Sequence, residues 1–125
     1  MTAPTSDDLK AASQTAVLCG LNPRTVQTLL APATVVELEP GDALFRQGEP
    51  AAAFFIVING WVKLYRITPA GDETVLHVLT KGESFAEAVA FAGGRYPATA
   101  SAATDCRVVL IPAHHVISCI RKMPD

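Results

Sequence analysis

Glycines recur through the middle of the sequence at the spacing of turns between short β-strands. Gly48, Gly60, Gly71, Gly82 and Gly93 are separated by 12, 11, 11 and 11 residues, with short apolar and β-branched runs between them. A turn signal every 8–12 or so residues is typical of an antiparallel sandwich or barrel. The spacing therefore predicts a mainly β fold of about eight antiparallel strands.

The apolar runs predict where the strands lie. They are Thr34–Leu38, Ala43–Arg46, Phe54–Ile58, Trp61–Ile67, Thr74–Leu79, Thr99–Ala103 and Arg107–Ile111. Phe54–Ile58 is apolar throughout, as expected of a strand covered on both faces. Asn59-Gly60 is a strong signal for a two-residue hairpin turn after it.

Short helices are predicted at both ends of the chain. Residues 7–19 are predicted to be helical up to Gly20, and Asn22-Pro23 begins a second helix that Pro32 ends. Pro112 begins a last helix. The stretch between Gly82 and Ala102 breaks the strand pattern, and it is predicted to form a tight turn, one short helix and a loop.

Composition excludes several classes of protein. The net charge of −2 gives no basic surface for nucleic acid. No apolar run approaches the roughly 20 residues that cross a membrane, and the acidic N-terminus does not resemble a signal peptide, so a cytoplasmic location is expected. Cys19, Cys106 and Cys119 form no Cys-x-x-Cys pair and are expected to be small buried hydrophobes. No catalytic set has recognisable spacing, so no enzyme activity is expected.

The order of several short motifs matches a known family. Two glycine–acid pairs precede an apolar strand, a glycine and a Val-x-Leu-Tyr sequence. Here these are Gly41-Asp42, Gly48-Glu49, Phe54–Ile58, Gly60 and Val62-Lys63-Leu64-Tyr65. With Phe85-Ala86-Glu87-Ala88 they resemble the sensor domain of the Crp/Fnr transcription regulators. Within that family the sequence is most similar to the dissimilatory nitrate respiration regulators, through Phe45–Pro50, Phe85–Ala88 and Ala98-Thr99-Ala100.

The resemblance implies an antiparallel β-roll of the cyclic-nucleotide-binding type, which is a double-stranded β-helix or jelly roll with short flanking helices. It divides the chain into N-terminal helices (1–33), a β-roll (34–111) with a phosphate-binding cassette (82–100), and the start of a C-terminal helical region (112–125). In the family a dimerisation helix and a helix-turn-helix domain follow, and neither is present in this chain.

The first functional hypothesis is therefore an N-terminal effector-sensing domain of a homodimeric regulator, which contacts DNA only through the missing domain. The alternative is a stand-alone cyclic-nucleotide-binding module that regulates an enzyme or a channel. A cupin-like metalloenzyme is a poorer hypothesis, because the ligand histidines of such a site are missing.

The resemblance places the effector-binding residues in the cassette. They are Phe85, Ala86, Glu87, Ala88, Arg95, Pro97, Ala98 and Thr99. Glu87 matches the glutamate that accepts a hydrogen bond from a ribose 2′-hydroxyl. It also completes a Ser84-x-x-Glu87 capping box for the short helix, and the two interpretations stay open.

The cassette departs from the family at two points. Tyr96-Pro97-Ala98-Thr99 spans the positions where the family has an arginine followed by Ser or Thr and Ala, and Arg95 lies one or two residues early. Ala86 stands where the family has glycine. Because a buried phosphate needs a charged partner, cyclic AMP is expected to bind weakly or not at all.

The effector is left open between a cyclic nucleotide and haem. Alanines at 86, 88, 90 and 92 make the cassette apolar, and the nitrate respiration subgroup implies haem with a gas signal such as nitric oxide. His77, His114 and His115 are the candidate haem ligands. His77 is expected on the strand face of Val75 and Leu79, where a packed core histidine is the ordinary alternative. At least one of His114 and His115 is expected to be exposed.

Overall fold

Eight strands form two four-stranded antiparallel sheets in the computed structural model, which describes residues 3–8, 30–86, 90 and 92–114. The strands are β1 (Thr34–Leu38), β2 (Ala43–Phe45), β3 (Ala53–Asn59), β4 (Val62–Ile67), β5 (Glu73–Leu79), β6 (Ser84–Phe85), β7 (Thr99–Ala102) and β8 (Cys106–Pro112). One sheet has the order β1-β8-β3-β6 and the other β2-β7-β4-β5. The predicted mainly β, antiparallel roll is confirmed.

The predicted strand boundaries agree with the structure to within one residue at each end. The short strand β6 was not predicted, because Ser84–Phe85 lies inside the stretch assigned to a turn and helix. Pro112 is the last residue of β8, and the helical residues begin at 113, after it. The helices predicted near the N-terminus fall mostly on residues outside the described ranges. The described residues of this region that are helical are 6–8 and Leu30.

The prediction of a hairpin at Asn59-Gly60 is wrong. Strand β3 pairs with β8 and β6, whereas β4 pairs with β5 and β7, so this turn connects the two sheets. Gly60 has a φ of +87°, and a Cβ there would lie 2.1 Å from the carbonyl oxygen of Asp105. The glycine is thus required by the left-handed backbone and by the close approach of the β7–β8 turn, and its presence does not depend on which strands pair.

Strand β3 separates two apolar clusters. Phe54 and Ile56 point into the outer cluster, and Phe55 and Val57 point into the inner cluster between the sheets, so the strand is covered on both faces as predicted. The outer cluster comprises Leu30, Ala33, Val35, Phe54, Ile56, Ala90, Val109, Ile111 and Ala113. The inner cluster comprises Leu38, Phe45, Ala51, Ala53, Phe55, Val57, Val62, Leu79, Phe85, Tyr96, Ala100, Ala102, Cys106 and Val108.

A buried carboxylate ties the N-terminal turn to the first sheet. Asp8 is only 3% exposed. Its carboxylate accepts hydrogen bonds from Nε and Nη2 of Arg107 at 2.8 and 2.7 Å, and it also accepts one from the backbone N–H of Thr5 at 2.8 Å. Arg107 on β8 also forms an ion pair with Glu37, its neighbour on β1. These contacts, the hydrogen bonds from Arg107 above all, lower the pKa of Asp8 from 3.8 to about 2.

Replacement of this carboxylate should lower stability in a pH-dependent way. The pKa of Asp8 is about 2 in the folded protein, and we take the ordinary aspartate value of 3.8 for the unfolded chain. Its contribution is therefore complete above pH 4 or so and is lost as the pH falls towards about 2. We expect Asp8→Asn to lower the free energy of unfolding by about 2 kcal/mol at neutral pH.

The measurement is urea unfolding followed by circular dichroism, from neutral pH to pH 2 or so. Exposed Asp7 is the matched control, and Asp7→Asn should change stability by less than about 0.5 kcal/mol. A difference between wild type and Asp8→Asn that does not shrink below about pH 4 would contradict this role of the ion pair.

Candidate effector site

The cassette leaves the first sheet at the end of β6. Phe85 pairs with Phe55 of β3 and is buried in the inner cluster. Ala86 follows with a φ of +71°, and the backbone bends there. Residues 87–89 and 91 lie outside the described ranges, and the effector-binding roles predicted for Glu87 and Ala88 are therefore not described by the structure. The predicted capping box is wrong, because Ser84 and Phe85 belong to β6 and Ala86 has a positive φ, so no helix begins directly after Ser84.

Ala86 is the one non-glycine residue with a positive φ in the part of the chain that the structure describes. The left-handed conformation costs an alanine roughly 1 kcal/mol, because its Cβ approaches the following carbonyl oxygen. Ala86 is partly buried against the inner cluster. The position to which the family resemblance assigns glycine is thus one where the backbone itself favours glycine.

Four aromatic rings fill the inner cluster next to the cassette. The ring of Tyr96 stacks on Phe45 with centroids 3.7 Å apart, and Phe55 stacks on Phe85 at 5.3 Å. The Tyr96 hydroxyl donates a hydrogen bond of 2.9 Å to the carbonyl oxygen of Ala53. Burial raises the pKa of Tyr96, so the hydroxyl remains a neutral donor. In the sequence Tyr96 is visible only as a departure from the family motif, and its packing role was not predicted.

Arg95 holds the loop before β3. Its Nη1 donates to the carbonyl oxygen of Gly48 at 2.8 Å, and its backbone pairs with Pro50 in an isolated bridge. Backbone hydrogen bonds from Gly48 to Tyr96 and from Tyr96 to Glu49 join the same two segments. Arg95 is exposed, and its described contacts are with this loop.

The end of the cassette presents neutral groups. Pro97 is exposed, Ala98 is buried, and the Thr99 hydroxyl accepts a hydrogen bond from the backbone N–H of Gln47 at 3.0 Å. The carbonyl oxygen of Pro97 accepts a 2.7 Å hydrogen bond from Nε of Arg66 on β4. Arg66 was not predicted as a site residue, although its alternation with Val62 and Leu64 along β4 could have indicated it.

A bulge in β5 changes the predicted surroundings of His77. His77 pairs with Leu64 and Val75 with Tyr65, so Leu76 is the extra residue of the bulge. Directly paired residues share a sheet face, and Leu64 and Tyr65 point to opposite faces. His77 therefore shares its face with Leu79 but not with Val75, which corrects the simple alternation assumed from the sequence.

The histidines described by the structure are exposed. His77 is exposed at the end of the inner face, and His114 is exposed after β8, as predicted for at least one of the two C-terminal histidines. His115 lies outside the described residues. Within the described ranges, no group of three or more His, Cys, Asp or Glu residues could hold a metal ion.

A comparison with protein families matches residues 35–123 to the cyclic nucleotide-binding domain. This match covers both sheets from β1 to the end of β8 and includes the cassette. The chain belongs to the cyclic nucleotide-binding domain family.

Relatives of this domain include transcription regulators. The CRP-like cAMP-activated global transcriptional regulator of Mycobacterium tuberculosis is 28% identical over 106 residues, which cover 85% of this chain and 47% of that protein. The sensor domain of the transcriptional regulator DNR from Pseudomonas aeruginosa is 39% identical, with a TM-score of 0.76 over 82% of this chain and 69% of that chain.

A third relative is a candidate cyclic nucleotide binding protein from Ruegeria pomeroyi. It is 41% identical, with a TM-score of 0.87 over 94% of this chain and 52% of that chain. The chain spans about half the length of the curated relatives it matches, 47% in the case of the Mycobacterium tuberculosis regulator. This cyclic nucleotide-binding domain resembles the sensor domains of Crp/Fnr transcription regulators, and the alternative of an enzyme or channel module is less supported. No helix among the described residues is long and apolar enough to span a membrane.

Loss of the Tyr96 hydroxyl should destabilise the domain. Tyr96→Phe leaves the buried Ala53 carbonyl oxygen without the 2.9 Å hydrogen bond, and we expect a loss of about 1 kcal/mol in urea unfolding. The matched control is Tyr65→Phe, since the Tyr65 hydroxyl makes only a 3.3 Å contact with Ser101 and is less buried. An equal loss in both variants would contradict a specific role for the Tyr96 hydroxyl.

Glycine at position 86 should stabilise the domain. Ala86→Gly relieves the left-handed strain, and we expect a gain of about 0.5–1 kcal/mol in the free energy of unfolding. Ala43→Gly, in the extended strand β2, is the control and should lose a similar amount. A loss of stability in Ala86→Gly would show that residue 86 does not adopt this conformation in solution.

Proposed function

We propose that this domain senses a small effector at the cassette and controls DNA binding by a further domain of a Crp/Fnr-type regulator. Effector binding would favour one of two arrangements of the regulator, and the shift in population would be limited by the difference in affinity between them. The proposed site consists of the cassette residues assigned from the sequence. These are Phe85, Ala86, Glu87, Ala88, Arg95, Pro97, Ala98 and Thr99.

The absence of charged side chains at the end of the cassette is the observation on which the choice of effector rests. Pro97 and Ala98 offer no charge to a phosphate, and the described contacts of Arg95 hold it on the loop before β3, where its Nη1 donates to the Gly48 carbonyl oxygen. A phosphate placed there would lose water without gaining a charged partner from this segment. Cyclic AMP should therefore bind weakly or not at all, although the Mycobacterium tuberculosis relative is described as cAMP-activated.

Haem is the effector-site cofactor that these residues fit best. Leu64 and Ala86 are partly buried apolar groups against the inner cluster. The imidazole of His77 lies on the Leu64 face of the second sheet, where it is exposed to a ligand. His77 would bind the haem iron through its imidazole, and Leu64 and Ala86 would contact the apolar part of the haem. Bound haem would supply a binding site for a gas such as nitric oxide.

Exposed apolar side chains support the proposal that the regulator is a homodimer. Among the described residues, the exposed large hydrophobics lie on the β4–β5 hairpin or next to it. They are Trp61, Ile67, Val75, Leu76 and Val78. Such a surface is typical of an interface, and in the homodimer it would be covered.

The function is tested by two titrations of the purified protein. Haemin titration followed by absorbance should give a saturable Soret shift, and calorimetry with cyclic AMP should give weak binding or none. His77→Ala should abolish the Soret shift, while His114→Ala and His115→Ala should retain it.

Two outcomes would contradict the proposal. Micromolar cyclic AMP binding that is lost in Glu87→Ala or Arg95→Ala would show a functional phosphate cassette. The absence of a Soret shift in the wild-type protein would exclude haem, and an unchanged shift in His77→Ala would exclude His77 as its ligand.

A further inference from the structure

Arg66 lies near the end of β4, on the inner side of that strand and next to Pro97. We call this end of the domain the mouth of the β-roll. Val62 and Leu64 pair with Ala102 and Ala100 of β7, and these alanines belong to the inner cluster. Side chains alternate along a strand, so Arg66 shares the face of Val62 and Leu64. Arg66 is exposed, whereas Val62 is buried and Leu64 is partly buried. The difference arises because β7, which pairs with β4, begins at Thr99, beside Tyr65, and does not extend past Arg66.

The guanidinium of Arg66 is held in place by one neutral contact. Its Nε donates to the Pro97 carbonyl oxygen at 2.7 Å. Lys63 is paired with Glu73, and Arg107 is paired with Asp8 and Glu37. Among the described residues no carboxylate forms an ion pair with Arg66, and its two Nη groups make no hydrogen bond there.

An arginine held in this way is prepared to bind an anion. The Nε contact limits rotation of the planar head group, and the Nη1 and Nη2 groups can donate two parallel hydrogen bonds to a carboxylate or a phosphate. The surroundings fit a ligand with an apolar body. Leu64 precedes Arg66 on the same face, and it packs against the inner cluster together with Ala86 of the cassette. Thr74 pairs with Arg66, and His77 pairs with Leu64 on this face.

We propose that Arg66 binds the anionic group of the effector at the mouth of the β-roll. This inference rests on the proposed function, because it assumes that the effector lies beside the cassette. The anionic group is a carboxylate if the effector is a porphyrin and a phosphate if it is a nucleotide. In either case Arg66 reaches the site from β4 and supplies one exposed positive charge, so a nucleotide phosphate would still be held weakly.

The test compares Arg66→Gln and Arg66→Lys with wild type, using haemin, cyclic AMP and inorganic pyrophosphate as probes. Arg46→Gln is the matched control, since it removes the same charge from another exposed arginine. We expect Arg66→Gln to weaken binding of the anionic probe about tenfold or more, Arg66→Lys to weaken it less, and Arg46→Gln to change it by less than about twofold. Haemin dimethyl ester, which has no free carboxylates, should bind wild type and Arg66→Gln equally. Thermal unfolding of each variant checks that it folds.

The outcomes separate this inference from the proposed function. Haemin binding of equal affinity by wild type and Arg66→Gln would overturn the role of Arg66 and leave the effector domain standing. Pyrophosphate binding that requires Arg66, without haemin or cyclic AMP binding, would support the anion site but contradict the haem assignment. Wild-type protein that binds none of the three anions at millimolar concentration would overturn both.

Discussion

The central pairing of β3 with β8 holds the rest of the domain together. Each strand contributes buried side chains to the outer and the inner cluster, so the two clusters are connected through one pair of strands. Phe54, Ile56, Val57, Val108, Val109 and Ile111 are all less than 2% exposed. Full burial of such a side chain contributes about 1.5–3 kcal/mol. A shift of one residue in the register of β3 would exchange its side chains between the two clusters. The register of β3 is therefore strongly specified.

The cassette depends on this core through its two ends. It departs at Phe85, which pairs with β3, and it returns at Tyr96, whose hydroxyl is bonded to the β3 carbonyl of Ala53. Both ends are thus fixed to the same strand, and the strained turn at Ala86 lies just beyond the first of them. A conformational change in the cassette can then leave the β-roll intact, which suits a segment that responds to a ligand.

Charge is distributed unevenly between the two ends of the roll. The Asp8–Arg107–Glu37 cluster is internally paired and acts on stability, because it ties the N-terminal turn to the sheet. Arg66 and Arg95 instead donate to backbone carbonyl oxygens near the cassette. The charge of a guanidinium bonded only to a carbonyl oxygen is not balanced by an anion, whereas the charge of one paired with a carboxylate is. This difference in partners is why the anion site is assigned to the cassette end.

The strand positions and the family were determined by the sequence, and the strand partners were decided by the tertiary structure. Turn residues and apolar runs act over a few residues, so the boundaries of β1 to β5, β7 and β8 were predictable to within one residue. The Asn59-Gly60 turn shows the limit, since a local turn signal cannot reveal that β3 and β4 enter different sheets. The ordered glycine–acid and cassette motifs were likewise sufficient to indicate the family.

Some features of the candidate site could likewise be predicted from the sequence, and others depend on the tertiary structure. The cassette and its departure from the family's arginine could be predicted from the sequence, because these are features of one continuous segment. It could not place Arg66 beside Pro97, which is 31 residues away, or the Tyr96 hydroxyl on Ala53, 43 residues away. The β5 bulge that separates His77 from Val75 was also invisible, because a bulge is defined by the partner strand. Contacts across the sheets depend on register and side-chain packing, and only the folded chain fixes those.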